Sequence, residues 1–404
     1  MQRGTSGSLL LAAMLASAPV LAESTITMTR TDNGTTLPFQ RHIVRLGPAS
    51  VGEGVLVAVV QCNGSNGLGL EMYESTNLGN SWSHVMSVQP NSSIRDTADL
   101  LADTDGQGFV LAYGAEPVSS MWAPSSKETI VFVHYSLGSN NQIAADQGPT
   151  TVYTPSSSQG YFRPAITRDS TGTLHLTATL LDSNGNFSWW ERMSIDGGQE
   201  WTAAEQIDSF GSSFGGGRTV AYGSNVMAIY DAYDPNSPGR YRTKSAGACS
   251  TWSSATQFVP EGLYHAGAFS VTSTPDGHVH LGSSDKDEQQ LWYREFNGSS
   301  WSSRKLIEST GIWSNQPALS HDANNNLTFA WNHPDSDTTN EVWVMTRTGT
   351  TWSSHKVLDS TSIWDGYTSA QEVIVSGEPV QIIWSQGPAD ASSPMAVRDY
   401  AFTP

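Results

Sequence analysis

Five tryptophans divide this chain into units. Trp82, Trp201, Trp252, Trp301 and Trp352 each end a short stretch rich in Gly, Ser, Asn and Thr. The last four are spaced 51, 49 and 51 residues apart, and the 119 residues from Trp82 to Trp201 make a little over two such units. A repeat of this length restricts the chain to a solenoid, a propeller or an array.

The third unit shows what is repeated. Residues 161–167 (YFRPAIT) have strand character, and residues 169–172 (DSTG) form a turn. Residues 173–179 (TLHLTAT) alternate with period two, as a half-buried strand does. Asn184-Gly185 makes a second turn, residues 187–193 a third strand, and residues near 203–207 a fourth. Four short strands per repeat describe a propeller blade. The linking segment, Ser194 to Trp201, matches Ser-x-Asp-x-Gly-x-x-Trp, the Asp-box. Its Ser and Asp side chains suit local bonds to backbone, its Gly permits positive φ, and its Trp is expected to fill space between strands. The segment ending at Trp82 is a near copy with Asn77 for Asp, and those ending at Trp252, Trp301 and Trp352 are eroded.

The expected fold is therefore all-β: a seven-bladed β-propeller of four-stranded antiparallel blades, with units near 31–88, 89–157, 158–209, 210–258, 259–308, 309–358 and 359–404. Six blades is the alternative, if the second unit is largely an insertion. Residues 24–29 (STITMT) alternate like a strand and are expected to complete the last blade and close the ring.

Composition narrows the function classes. Of 404 residues, 38 are acidic and 20 are Lys or Arg, giving a net charge of −18. A nucleic-acid partner calls for the opposite sign, and no apolar run is long enough to span a bilayer. Arg3, the apolar residues 9–15 and a site at Val20-Leu21-Ala22 read as a secretory signal. Residues 1–22 are thus expected to be removed, leaving 23–404 as one secreted propeller domain. Cys62 and Cys249 lie in units far apart along the chain, and the expectation for both is a buried free thiol.

In a propeller the first strand of each blade lines a central channel, and ligands bind at its mouth. Residues near the start of those strands are Arg41, Asp96, Arg163, Arg218, His265, Asn315 or Gln316, and Tyr367; the ends of the second strands add Asn63, Glu116, Asp182, Asp231, Asp285, His333 and Gln386. Three Arg at matched positions, in a chain with few basic residues, offer forked donors to a carboxylate or sulfate. The alternative for each is an ion pair with a neighbouring Asp or Glu. His265 is the candidate general base. His175 and His280 occupy interior positions and are expected in the core. His333 has Asp335 and Asp337 nearby, a weak metal pattern, and no metal or other cofactor is expected. Gly215-Gly216-Gly217, before Arg218, gives the chain room to enter the channel.

With these motifs the chain resembles the sialidase superfamily of secreted Asp-box propellers. Residues 39–44 (FQRHIV) look like the sialidase opening, whose first-strand Arg, here Arg41, binds a substrate carboxylate. Residues 366–370 (GYTSA) are similar to the segment bearing the nucleophilic tyrosine, which would be Tyr367, with Asp96 or Glu116 as its carboxylate partner. The chain also resembles seven-bladed polysaccharide lyases of the ulvan-lyase kind in blade number, secretion and an Arg/His/Tyr set. That resemblance implies β-elimination on an acidic, uronate-containing and possibly sulfated polysaccharide. Arg163 or Arg218 would neutralise the carboxylate, His265 would be the base, and Tyr233 or Tyr367 the acid; Arg41, Arg218, Asp96, Glu116 and His333 would bind substrate. A sialidase-like hydrolase and a non-catalytic glycan-binding propeller are the alternatives. A monomer with a saccharide as its partner is the expected state.

Overall fold

A computed structural model describes residues 23–29, 35, 39–48, 54–64, 67–89, 98–115, 129–156, 159–212, 215–232, 239–247, 249–259, 269–285, 290–309, 316–334, 340–359, 364–387 and 395–404. They form a seven-bladed β-propeller. Blades 1 to 6 run in chain order over 43–89, 98–153, 160–211, 215–259, 269–309 and 317–359. Blade 7 is built from Trp364–Ala370, Val380–Gly387 and Met395–Phe402, and its fourth, outermost strand is Ser24–Thr29 from the start of the chain. The register runs from Ser24 opposite Asp399 to Thr29 opposite Met395, so the expected closing strand is the one observed. The signal-type residues 1–22 lie outside the described residues.

The core is not inside the blades but between them. Seven main apolar clusters each unite two neighbouring blades, one for every interface in the ring. Val57 and Leu100 share the cluster of blades 1 and 2, and Ile43 and Ile383 share the one that joins blade 1 to blade 7. A four-stranded sheet has two faces, so each blade must be covered on both, and a closed ring covers all of them.

This arrangement shows which strands the repeated tryptophans pack between. Each packs onto the preceding blade, and Trp301 and Trp352 also meet rings of their own blades, Phe296 at 5.5 Å and Phe329 at 6.1 Å. Trp201 meets Phe132 of blade 2 edge-on at 5.3 Å, Trp301 stacks on Phe258 of blade 4 at 4.6 Å, and Trp352 meets Tyr293 of blade 5 at 4.9 Å. Trp252 donates its indole N–H to Glu191 of blade 3 at 3.0 Å. Trp82 closes the series by packing against the cluster that blades 1 and 7 share.

The Ser194–Trp201 hairpin shows how such a tryptophan is aimed. Ser194 Oγ donates to Asp196 at 2.7 Å and accepts from the Gly198 N–H at 2.8 Å, while Asp196 accepts from the N–H groups of Gln199 and Glu200. Gly198 has φ +99° and lies against the Phe132 ring, where a Cβ would collide. Cys249, in the corresponding stretch of blade 4, is exposed and free, contrary to the expected buried thiol; the Cys62 side chain lies outside the described residues.

Candidate functional site

First strands of successive blades touch one another and form the inner ring. Arg163, Arg218 and Tyr367 are each the fourth residue of such a strand, in Gly160–Arg168, Gly215–Tyr222 and Trp364–Ala370. These three expected channel residues therefore do occupy matched rungs. Two of them have a backbone that residue type did not reveal. Arg163 has φ 54° and Tyr367 φ 56°. Among the described residues, the other non-glycine positions with positive φ are Leu78, Asn141 and Asn325, and all three lie in turns.

Both are first residues of β-bulges. In blade 3 the pairing jumps from Phe162 opposite Thr179 to Ala165 opposite Thr177, so Arg163 and Pro164 together face Ala178. In blade 7 it jumps from Gly366 opposite Ser385 to Ser369 opposite Ile383, so Tyr367 and Thr368 face Trp384. A bulge whose first residue is left-handed is ordinarily built with glycine. A side chain held there costs on the order of 1–3 kcal/mol, and such outliers gather at functional sites. Arg218 has no bulge; it sits in register opposite Ile229.

Residues from outside blade 7 hold Tyr367 and Thr368 from several sides. Its N–H donates to Gln316 Oε1 at 2.6 Å, and its carbonyl accepts from Thr35 Oγ1 at 2.5 Å. The next N–H, of Thr368, reaches Asn332 Oδ1 at 3.3 Å, and the Thr368 hydroxyl donates to the Gln316 carbonyl. Tyr367 is partly exposed, whereas Arg163 is only 2% exposed. The Arg163 guanidinium lies 5.9 Å from the Phe162 ring, and burial pushes its pKa well down from the ordinary arginine value.

Arg41 and Arg218 also come together, although not around an empty anion site. Arg41 precedes the first strand of blade 1, Ile43–Leu46, and lies inside the ring. Its Nε is 3.5 Å from Asp99 of blade 2, its Nη2 donates to the Ile166 carbonyl at 2.5 Å, and its Nη1 pairs with Glu372. Arg218 reaches the same Asp99 at 3.0 Å and bonds the Phe39 carbonyl. Asp99 is fully buried and also accepts from the N–H groups of Arg41 (2.6 Å) and Ile166 (2.7 Å). Burial raises its pKa to about 6, against the opposing pull of Arg41. The ion-pair alternative therefore describes Arg41 and Arg218, whose charges are met by protein carboxylates.

These contacts come from residues ahead of blade 1 that reach across the ring. Thr35 touches blade 7 at Tyr367 and Ser385, and Gln40 donates to the Pro164 carbonyl of blade 3 at 2.8 Å. Phe39 stacks on Phe269 of blade 5 at 5.7 Å, and His42 donates its N–H to Ser369 of blade 7. Asp99 was not singled out from sequence, yet a carboxylate in the otherwise apolar stretch ADLLA was a signal for it.

The remaining candidates divide. His265, Tyr233, Asp96, Glu116, Asn315, Asp335 and Asp337 lie outside the described residues, as do the side chains of Asn63 and Asp285. His175 and His280 are buried, as expected: His175 lies between Asp169 and Glu191, and His280 between Thr274 and Tyr293. His333 stacks on Trp343 with ring centroids 3.6 Å apart, and His355 covers the opposite side of that indole at 3.9 Å. Gln386 is bonded to Asp359 and Arg398, Asp182 caps its own turn, and Asp231 is buried. Of the three glycines, Gly217 serves packing: a Cβ there would strike the Ile229 carbonyl and the Trp189 ring. Among the described residues, no three His, Cys, Asp or Glu are grouped to hold a metal ion.

No family model and no curated protein matches the sequence. Solved structures do match in fold. A polysaccharide lyase described as an ulvan lyase superimposes with a TM-score of 0.56 at 12% identity, covering 93% of this chain and 95% of its own; it has also been solved bound to a glucuronate–sulfated rhamnose unit. An α-L-arabinanase of Penicillium chrysogenum, complexed with arabinobiose, gives 0.54 at 12% identity over 94% and 98% of the two chains. The α-L-arabinofuranosidase Arb93A of Fusarium graminearum gives 0.53 at 12% identity over 82% and 98%. At such identity these likenesses speak for the fold alone.

Proposed function

We propose that this protein is an exported enzyme, with residues 1–22 as its secretion signal, that cleaves an acidic, uronate-containing polysaccharide by β-elimination at the mouth of the propeller channel. The observation that carries this reading is the matched pair of strained bulges presenting Arg163 and Tyr367, two side chains suited to that chemistry, where glycine would cost least. The propeller fold shared with an ulvan lyase is consistent with it.

Elimination next to a uronate carboxylate needs three groups. A cation or hydrogen-bond donor must stabilise the charge that spreads onto the carboxylate as the α-carbon loses its proton. Arg163 takes that role, as a planar forked donor matched to a carboxylate. A base removes the proton from C5, and His265 is assigned to it. The electron pair of the C5–H bond becomes the C4–C5 double bond, the C4–O bond breaks, and an acid protonates the leaving oxygen. Tyr367, with Tyr233 as the alternative, supplies that proton. Arg41 and Arg218, tied to Asp99, hold the floor beneath the site rather than the substrate.

Hydrolysis is the second reading, favoured by the similar superposition scores of the two arabinan-degrading propellers. A panel of uronate, sulfated and sialylated glycans separates the two. Elimination yields an unsaturated uronate that absorbs in the ultraviolet, in step with new reducing ends. Hydrolysis yields reducing ends without absorbance, and a glycan-binding protein yields neither. We expect absorbance with a uronate polymer and its loss in Arg163→Ala and Tyr367→Phe. Full activity in both variants would reject the assignment.

A further inference from the structure

The two bulges are held by side chains that belong to neither blade. Thr35 Oγ1 donates to the Tyr367 carbonyl at 2.5 Å, and five residues later Gln40 Nε2 donates to the Pro164 carbonyl, next to Arg163, at 2.8 Å. Thr35 and Gln40 are both buried, at 0% and 1% exposure. Gln316 completes the hold by accepting the Tyr367 N–H at 2.6 Å. A bulge takes backbone groups out of the sheet ladder, and a buried group left without a partner is costly. At Tyr367 both backbone polar groups instead find side chains from distant parts of the chain. A left-handed non-glycine residue persists only where its surroundings over-determine it.

We propose that Thr35, Gln40 and Gln316 are positioning residues, and that Thr35 and Gln40 together brace the Tyr367 bulge of blade 7 and the Arg163 bulge of blade 3. This rests on reading Arg163 and Tyr367 as the reacting pair. Channel closure alone does not require these bonds. Phe39 fills the floor by stacking on Phe269, and Arg41 is fastened to Asp99. Thr35 and Gln40 spend their donors on the carbonyls of the two distorted strands. The brace therefore acts on the aim of the two side chains, and misplacement of about 1 Å is enough to cost roughly 100-fold in rate.

The test uses paired substitutions in the full chain. Thr35→Val and Gln316→Leu remove the bonds with little change in volume, whereas Thr35→Ser and Gln316→Glu keep the donor and the acceptor. Gln40→Glu replaces the donor facing the Pro164 carbonyl with an acceptor. On the uronate polymer that wild type cleaves, Thr35→Val, Gln316→Leu and Gln40→Glu should lower kcat by at least about 10-fold with KM within about two-fold. Thr35→Ser and Gln316→Glu should stay near wild type. A second readout does not need turnover: NMR of isotope-labelled tyrosine, with the Tyr367 signal identified by its loss in Tyr367→Phe. That signal should move in Thr35→Val and Gln316→Leu and keep its place in the conservative pair. An unmoved signal and full kcat in Thr35→Val and Gln316→Leu, while Tyr367→Phe is inactive, would overturn the brace and leave the site reading intact. Full activity of Tyr367→Phe and Arg163→Ala would overturn the site reading, and the Tyr367 signal would still decide whether the brace exists. Equal damage from the conservative and disruptive members of each pair would also overturn the brace.

Discussion

Tyr367 and Arg163 concentrate the physical argument into two backbone angles. A left-handed conformation at a residue with a Cβ costs about 1–2 kcal/mol, and glycine escapes that cost. Ordinarily Ala is the more stable choice over Gly, because Gly loses more entropy on folding. At Tyr367 the order should invert: Tyr367→Gly should be more stable than Tyr367→Ala by about 1 kcal/mol in denaturant unfolding, with both inactive. Ala as the more stable variant would mean that the bulge relaxes and stores no strain. This feature was beyond the reach of the sequence. Residues 161–167 and 364–370 read as ordinary strands, and neither Pro164 nor Gly366 reveals that the residue beside it turns left-handed. Sequence position did identify the matched rungs holding Arg163, Arg218 and Tyr367, since strand starts can be counted from turns. It did not reveal that Arg218 is paired, because its partner, Asp99, comes from a blade over one hundred residues away.

At the scale of elements, the repeat was legible because its tryptophans carry the interfaces. A residue that each blade needs in order to grip the one before it recurs once per blade, so its spacing reports blade length. What spacing omits is the neighbour that each tryptophan touches. Trp201 belongs by sequence to blade 3 and by contact to Phe132 of blade 2. Trp201→Ala should therefore cost about 3 kcal/mol of stability, as for a large aromatic removed from a packed interface. Gly198→Ala should also destabilise, since its Cβ would meet the same Phe132 ring at a positive φ. Neither change should alter kcat, because both sit at the far end of the blade from the fourth residue of the inner strand. Thermal unfolding with parallel activity assays checks both, and a large kcat loss without destabilisation would contradict the division of roles. The crossing residues, Thr35 and 39–42, were harder to read. Arg41 lies near the start of a first strand, Ile43–Leu46, but contacts to five other blades leave no periodic trace.

For the whole molecule, ring closure decides stability. The last blade borrows Ser24–Thr29, and the joint includes Asp399, which accepts the Ser24 hydroxyl. Burial raises the Asp399 pKa from its ordinary 3.8 to about 7. A carboxyl whose pKa is raised by folding contributes its stability below the unfolded value and loses it as pH rises through the folded one. The wild type should thus lose stability between about pH 4 and pH 7, and Asp399→Asn, uncharged throughout, should flatten that stretch by roughly 2–4 kcal/mol. Equal pH profiles for the two would show that Asp399 does not govern the joint. Inside the ring, Thr35, Phe39, Gln40 and Arg41 tie together blades that are distant in sequence. The most direct measurement is a crystal structure of Tyr367→Phe with a uronate oligosaccharide bound. The predicted result is a uronate carboxylate within hydrogen-bond distance of Arg163 and the glycosidic oxygen facing residue 367. A saccharide seated elsewhere, with Arg163 untouched, would contradict the account.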